Sequence, residues 1–197
     1  MIQFKNISKS FSSKNILKNI SFKIKEGESV AIIGQSGEGK SVLLKHFNGL
    51  MMPDSGQVIV HKKVINQLSF SELQSIRKNM SMVFQFGALF DSLSIRDNIL
   101  ISLDNNTSLN SKEKENRIIE SLNEVNLSNI QHLYPNDLSG GMKKRVGISR
   151  AISIKPKYLL YDEPTTGLDP INTGKIIKLM KKIKKNKSIT SIVVTHE

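Results

Sequence analysis

The stretch Ser29–Ser41 reads SVAIIGQSGEGKS, and it is the strongest indication of the fold in this chain. It opens with a short β-branched run, which is typical of a buried strand in a parallel sheet. Residues 40–50 then place apolar side chains at the spacing of a helix. Between strand and helix stands the pattern G-x-x-x-x-G-K-[ST], whose glycines let backbone N–H groups point inward around a phosphate. The sequence therefore predicts a phosphate-binding loop at the start of a helix.

The residues of this loop are candidates for binding a nucleotide. We expect Lys40 to reach the β and γ phosphates, and the hydroxyl of Ser41 to coordinate Mg²⁺. The dipole of the following helix favours the same negative charge. The positions of the pattern are Gly34, Gln35, Ser36, Gly37, Glu38, Gly39, Lys40 and Ser41. The alternative is a glycine-rich turn that only caps the helix.

A second apolar run ends in two acids. Residues 158–163 read YLLYDE, and Pro164 stops the strand that they predict. After a phosphate-binding loop, this arrangement puts the carboxylate of Asp162 beside the expected Mg²⁺ and sets Glu163 to polarise an attacking water. Taken by itself, the pair of acids also fits an ordinary turn.

A serine and two glycines precede another predicted helix. Ser139, Gly140 and Gly141 offer a hydroxyl, backbone N–H groups and a helix N-terminus to a phosphate. A second phosphate-binding loop so far along the chain is hard to use within one subunit, so we expect it to act across a dimer interface. A plain N-cap is the alternative, because serine is a favoured capping residue.

The order of predicted strands and helices indicates an α/β protein with a parallel core sheet. Residues 1–86 and 156–197 alternate strands with helices and form the expected nucleotide-binding core of a single domain. Residues 87–155 are mostly helical and form an insert. The strands expected in the core include 57–65 and 81–86.

Composition and charge exclude several classes of protein. A hydrophobic share of 38% is typical of a globular fold, and the absence of cysteine excludes a disulfide framework and a thiolate zinc site. The net charge of +12 is compatible with nucleic-acid binding. However, apolar residues recur at helical spacing over 176–183, beside the lysine cluster 181–187, which favours a packed helix with a solvated basic face. No apolar run approaches the ~18–20 residues that span a bilayer, so we expect a soluble protein.

Together, the motifs resemble those of ABC transporter ATP-binding subunits and occur in that family's order. The loop 34–41 matches Walker A, the stretch 138–142 matches the LSGGQ signature, and 159–163 matches the Walker B strand with its glutamate. Gln85 in VFQF matches the Q-loop, and His196 matches the switch histidine.

Two further positions complete the resemblance. Asp169 closes the TGLD sequence that matches the D-loop, and Phe11 lies where the family usually places an aromatic that stacks on adenine. For Phe11, a role as a core aromatic is the alternative. The chain departs from the family pattern at Val42, where many members have a threonine, and at Met142, which replaces the usual glutamine.

The resemblance implies a P-loop NTPase fold and an ATPase activity. It implies a RecA-like core with an N-terminal antiparallel β-subdomain and an inserted helical signature subdomain. It also implies ATP and Mg²⁺ as cofactors, with Gln85 contacting the metal and His196 the γ-phosphate. Val42 and Asp169 become nucleotide-binding candidates, and the signature residues are expected to act on the ATP of a second copy in a dimer.

The segment 77–93, with 95–99 after it, resembles the Mla-type ATPases. That resemblance implies phospholipid transport with a transmembrane permease and an MCE-domain partner, on the cytoplasmic or plastid stromal face of a membrane. One alternative is an importer ATPase for an amino acid or another small polar solute. Another is a non-transport ABC ATPase acting on nucleic acid or the ribosome, although we expect no nucleic-acid partner. Because the family continues beyond the switch histidine, we expect the chain to be truncated.

Overall fold

Eight strands and six α-helices make up the computed structural model, which describes residues 1–12, 14–187 and 189–196. The strands are β1 (Ile2–Phe11), β2 (Lys14–Ile24), β3 (Ser29–Ile33), β4 (Ser55–Val60), β5 (Lys63–Val64), β6 (Met80–Val83), β7 (Tyr158–Asp162) and β8 (Thr190–Thr195). The α-helices are α1 (Lys40–Phe47), α2 (Phe70–Arg77), α3 (Ile95–Asn106), α4 (Ser111–Glu124), α5 (Gly140–Ser153) and α6 (Pro170–Lys187).

One sheet is parallel throughout and has the order β3-β8-β7-β6. Its central strands β7 and β8 are largely buried, as their apolar sequences predict. Because all four strands run the same way, the loops after β3, β6, β7 and β8 emerge at one edge of the sheet. The predicted α/β architecture with a parallel core sheet is confirmed.

A second sheet is antiparallel, with the order β2-β1-β4-β5. The prediction of one continuous strand over 57–65 is wrong, because β4 and β5 form a hairpin within it. The turn residues His61 and Lys62 both have left-handed backbone, with φ of 49° and 68°. Such turns usually contain glycine or asparagine, so this pair gave no turn signal in the sequence.

Apolar side chains fill both faces of the parallel sheet. On one face, α1 lies between the two sheets, where the rings of Phe4, Phe22 and Phe47 pack with centroids 4.5–6.0 Å apart. On the other face, Leu159 and Tyr161 pack against the apolar sides of the helices. The alternation of side chains along β7 therefore places the strand in the apolar clusters on both faces of the sheet.

Helices α3, α4 and α5 occupy the stretch predicted as a helical insert, and they pack on one another. Strand β6 ends at Val83, so Gln85 follows the strand instead of lying inside the predicted 81–86 segment. Helix α6 buries Ile176, Leu179 and Ile183 and exposes most of its lysines. Within the described ranges, no helix combines the length and hydrophobicity needed to cross a bilayer.

Candidate nucleotide-binding site

The carboxyl edge of the parallel sheet carries a cleft of about 450 Å³. The loop after β3, the start of α1 and the residues that follow β6, β7 and β8 all reach it, because parallel strands end at the same edge. The antiparallel sheet closes one side. The lining residues are Phe11, Ile16, Ser36, Gly37, Gly39, Lys40, Ser41, Val42, Gln85, Glu163, Thr166 and His196.

The phosphate-binding loop curls around the side chain of its own lysine. Gly37 and Gly39 have φ of 84° and 89°, a conformation that glycine adopts without steric cost. The Nζ atom of Lys40 donates hydrogen bonds to the carbonyl oxygens of Gly34 and Gln35, each at 2.8 Å. The ammonium is thus largely buried at the mouth of the loop, where it adds positive charge to the dipole of α1.

Glu38 stabilises the same loop. Its carboxylate oxygen Oε2 accepts a hydrogen bond from the backbone N–H of Gln35 at 2.7 Å. A Cβ atom at Gly34 would lie 2.4 Å from that oxygen. The absence of a side chain at Gly34 therefore leaves space for the carboxylate. Glu38 stabilises the loop by this hydrogen bond and does not line the cleft.

Two oxygen atoms suited to a magnesium ion meet where Ser41, which lines the cleft, contacts Asp162. The hydroxyl of Ser41 donates to Oδ1 of Asp162 at 2.7 Å, which joins α1 to the end of β7. Hydroxyl and carboxylate oxygens are the ligands that Mg²⁺ prefers, so these residues fit the ion. In the part of the chain that the structure describes, no three histidine or acidic side chains cluster to hold a metal alone. Such an ion would complete its coordination with phosphate and water.

Glu163 lines the cleft, and both oxygens of its carboxylate contact neighbouring side chains. Its Oε1 lies 3.5 Å from Nζ of Lys40, and its Oε2 lies 2.5 Å from Nδ1 of His196. Oε2 also accepts a hydrogen bond from the hydroxyl of Thr166 at 2.8 Å. Burial raises the pKa of Glu163, but Thr166, His196 and the charge of Lys40 outweigh burial and hold the pKa below 4.5. The carboxylate is therefore ionised at neutral pH.

The walls of the cleft come from the antiparallel sheet and the loop after β6. Phe11 at the end of β1 is 44% exposed, and Nζ of Lys9 lies 5.6 Å from its ring centroid. Val42 and Gln85 also line the cleft. The sequence did not indicate Ile16, because it lies on β2 and joins the site only through sheet packing. The sequence indicates Thr166 only as the first residue of the TGLD motif.

The signature residues lie apart from this cleft, as does Asp169. Ser139 caps α5, its hydroxyl accepting a hydrogen bond from the N–H of Met142 at 3.3 Å. Asp169 accepts a hydrogen bond from the N–H of Asn172 at 2.9 Å at the start of α6. Ser139, Gly140, Gly141 and Asp169 are absent from the cleft lining, so within one chain they act as helix-end residues.

Comparison with known families identifies this arrangement. The model of the ABC transporter family matches residues 17–166. This chain belongs to the ABC transporter family. The family's ATPase domain is the part that the chain carries, since the matched region includes the phosphate-binding loop, the signature stretch and Glu163.

Curated members of the ABC transporter family match over the whole chain. The methionine import ATP-binding protein MetN of Clostridium tetani is 44% identical, with 100% of this chain and 62% of that protein aligned. The intermembrane phospholipid transport system ATP-binding protein MlaF of Haemophilus influenzae is 38% identical, with 100% of this chain and 75% of that protein aligned. The chain therefore spans less than two thirds of the MetN relative.

A solved ABC cassette has the same fold. It is a dimeric structure of an ATP-binding cassette in a post-hydrolysis state with ADP and phosphate bound. It superposes with a TM-score of 0.89 at 35% sequence identity, covering 100% of this chain and 88% of that chain. The predicted P-loop NTPase fold of the ABC type is therefore confirmed.

Proposed function

We propose that this chain binds Mg²⁺-ATP and hydrolyses it as the ATPase subunit of an ABC transporter. One observation carries the proposal: the ionised carboxylate of Glu163 lies 3.5 Å from Nζ of Lys40, inside a cleft that the phosphate-binding loop lines. A positively charged loop beside a fixed carboxylate provides both a phosphate site and a group that orients water.

In this proposal, each residue of the site has a separate role in hydrolysis. Lys40 leaves the carbonyls of its own loop and contacts the β and γ phosphates. Ser41, Asp162 and Gln85 would hold Mg²⁺, which neutralises phosphate charge when bound. Glu163 orients or deprotonates the attacking water. Two further groups complete the site: His196 stabilises charge on the transferring phosphoryl group, and Phe11 stacks on the adenine.

The signature loop is proposed to complete the site of a second copy. Its hydroxyl and N–H groups lie outside the cleft of their own chain, at the start of α5. A dimer would bring Ser139, Gly140 and Gly141 onto the opposite ATP, and the dimeric state of the solved cassette supports this arrangement. Asp169, at the start of α6, is proposed to contact nucleotide at the same interface.

A transmembrane permease is the proposed partner of the loop after Gln85. Phe86 and Phe90 are 78% and 53% exposed, so this loop presents two aromatic side chains to solvent. The backbone of this loop is tied to α5, because Arg150 donates to the carbonyl oxygens of Gly87 and Ala88, each at 2.8 Å. A fixed apolar surface beside Gln85 suits a partner that must report its state to the nucleotide site. The chain would sit peripherally on a membrane through this contact.

For the transported substrate, we propose an amino acid such as methionine. The identity of 44% to the methionine import protein MetN supports this proposal over the lipid-transport hypothesis. Phospholipid transport with an MCE-domain partner is the second candidate, supported by the identity of 38% to MlaF. We do not propose a nucleic-acid partner, since most of the described lysines of α6 lie on the solvated face of a packed helix.

Affinity capture of the full chain from native membranes, followed by mass spectrometry, tests the transporter proposal. A multi-span permease together with a solute-binding protein would support amino-acid import, and methionine uptake should then require the chain. A permease together with an MCE-domain protein would support lipid transport instead. Ribosomal proteins without a permease would contradict both.

A further inference from the structure

Lys144 is a buried lysine on the signature helix α5. Its side chain is only 8% exposed, and its Nζ donates to the carbonyl oxygens of Pro164 and Thr166 at 3.1 and 2.5 Å. A buried ammonium is stable only when hydrogen bonds replace its water. Its bonds to two carbonyls of one short segment therefore fix that segment, which directly follows Glu163, to the first turns of α5.

Thr166 links that segment to the carboxylate. Its carbonyl oxygen accepts from Lys144, while its hydroxyl donates to Oε2 of Glu163 at 2.8 Å. The backbone N–H of Glu163 donates to the carbonyl oxygen of Val194 on β8 at 3.0 Å. The main chain of Glu163 is thus fixed by the sheet, whereas its carboxylate is held partly by a residue whose own position depends on α5.

We propose that Lys144 and Thr166 are positioning residues through which the signature helix sets the orientation of the Glu163 carboxylate. This inference rests on the proposed function of Glu163 in ATP hydrolysis. A group that orients water acts only within a narrow range of geometry, so the loss of one hydrogen bond lowers turnover more than nucleotide binding. A shift of the start of α5 would pass through Lys144 to residue 166 and then to Glu163.

The substitution Thr166→Val tests the last link, because it removes the hydroxyl and keeps the β-branched shape. We expect kcat for ATP hydrolysis to fall about tenfold while KM for ATP changes less than twofold. Thr166→Ser should restore kcat, since serine returns the hydroxyl. An unchanged kcat in Thr166→Val, or equal losses in the serine and valine variants, would overturn the role of Thr166.

The substitution Lys144→Met tests the first link, and Lys143→Met on the same helix is its matched control. We expect Lys144→Met to lower kcat by a similar factor with KM preserved, and Lys143→Met to leave both unchanged. The double variant Lys144→Met/Thr166→Val should be no slower than the slower single variant, because both act through one carboxylate. Multiplied losses would show independent effects and would overturn the proposed chain of contacts.

Amide hydrogen exchange without nucleotide separates this inference from the proposed function. The segment 164–168 should exchange faster in Lys144→Met than in the wild-type chain or Lys143→Met, because its fixed carbonyls are released. Unchanged exchange would overturn the tether whether or not the chain hydrolyses ATP. Absence of ATP hydrolysis in the wild-type chain, with faster exchange in Lys144→Met, would instead overturn the proposed function alone.

Discussion

Two glycines of the phosphate-binding loop allow backbone strain to be separated from steric overlap. Gly37 and Gly39 both have left-handed backbone, with φ of +84° and +89°. A Cβ atom at Gly37 meets nothing within 4 Å, whereas one at Gly39 lies 2.4 Å from Cγ2 of Ile16. Gly37→Ala therefore tests the backbone contribution alone, and Gly39→Ala adds the overlap with β2.

The expected losses of unfolding free energy follow from these two contributions. A residue with a side chain in the left-handed conformation costs about 1–2 kcal/mol, which is the loss expected for Gly37→Ala. Overpacking adds about 1–3 kcal/mol, so Gly39→Ala should lose about 2–5 kcal/mol. In a chain of this size, each kcal/mol lowers Tm by roughly 2–4 °C.

Urea unfolding followed by circular dichroism measures both losses. The double variant Gly39→Ala/Ile16→Ala provides the control, because alanine at position 16 has no Cγ2 to overlap. We expect the cycle to show a coupling of about 1–3 kcal/mol, equal to the overlap that Ile16→Ala relieves. Equal losses in Gly37→Ala and Gly39→Ala, or an additive cycle, would show that overlap with Ile16 adds nothing to the cost of alanine at position 39.

Two further substitutions test buried polar side chains. Burial lowers the pKa of His46 below 6.5, and its Nε2 has no partner among the described residues, so the unfolded chain takes up a proton first as pH falls. Stability should then decline below pH 6.5, by up to about 1.4 kcal/mol per pH unit from His46. Urea titrations at several pH values should show a shallower decline in His46→Leu, and the decline that remains includes the contribution of His61, whose pKa burial also lowers. The amide of Asn98 bonds the backbone of Phe90, Leu93 and Ser94. Asn98→Leu should therefore cost about 1–3 kcal/mol for each group left unpaired and speed proteolysis of this loop.

Local patterns predicted the parts of the site that lie within a few residues of one strand. The phosphate-binding loop follows β3, and Asp162 and Glu163 stand at the end of β7, so their common edge could be inferred from the apolar runs that predict these two strands. Only β7 is buried. The prediction of a buried strand before the loop is wrong, because β3 lies at the edge of the sheet and exposes Ser29, Ala31 and Ile33. The direct bond between Ser41 and Asp162 follows from that common edge. The signal is strongest for β7, because a buried parallel strand tolerates few sequences.

Contacts between distant elements had no such signal. Ile16 reaches the cleft only because β2 pairs with β1 beside the loop, and Lys144 bonds a segment twenty residues further along the chain. In the sequence, Lys144 belongs to a cluster of three basic residues that is typical of a solvated surface. The structure buries one of them, and only packing of α5 against the segment after β7 distinguishes it.

ATP hydrolysis by the wild-type chain and its Glu163→Gln variant tests whether Glu163 orients the attacking water. Glutamine keeps the shape of the side chain but removes the negative charge that orients water. We predict that Glu163→Gln retains ATP binding while turnover falls by about 10²–10⁴-fold, and that Glu120→Gln on the exposed face of α4 has no effect. Unchanged hydrolysis in Glu163→Gln would contradict the proposed role of Glu163 in orienting water.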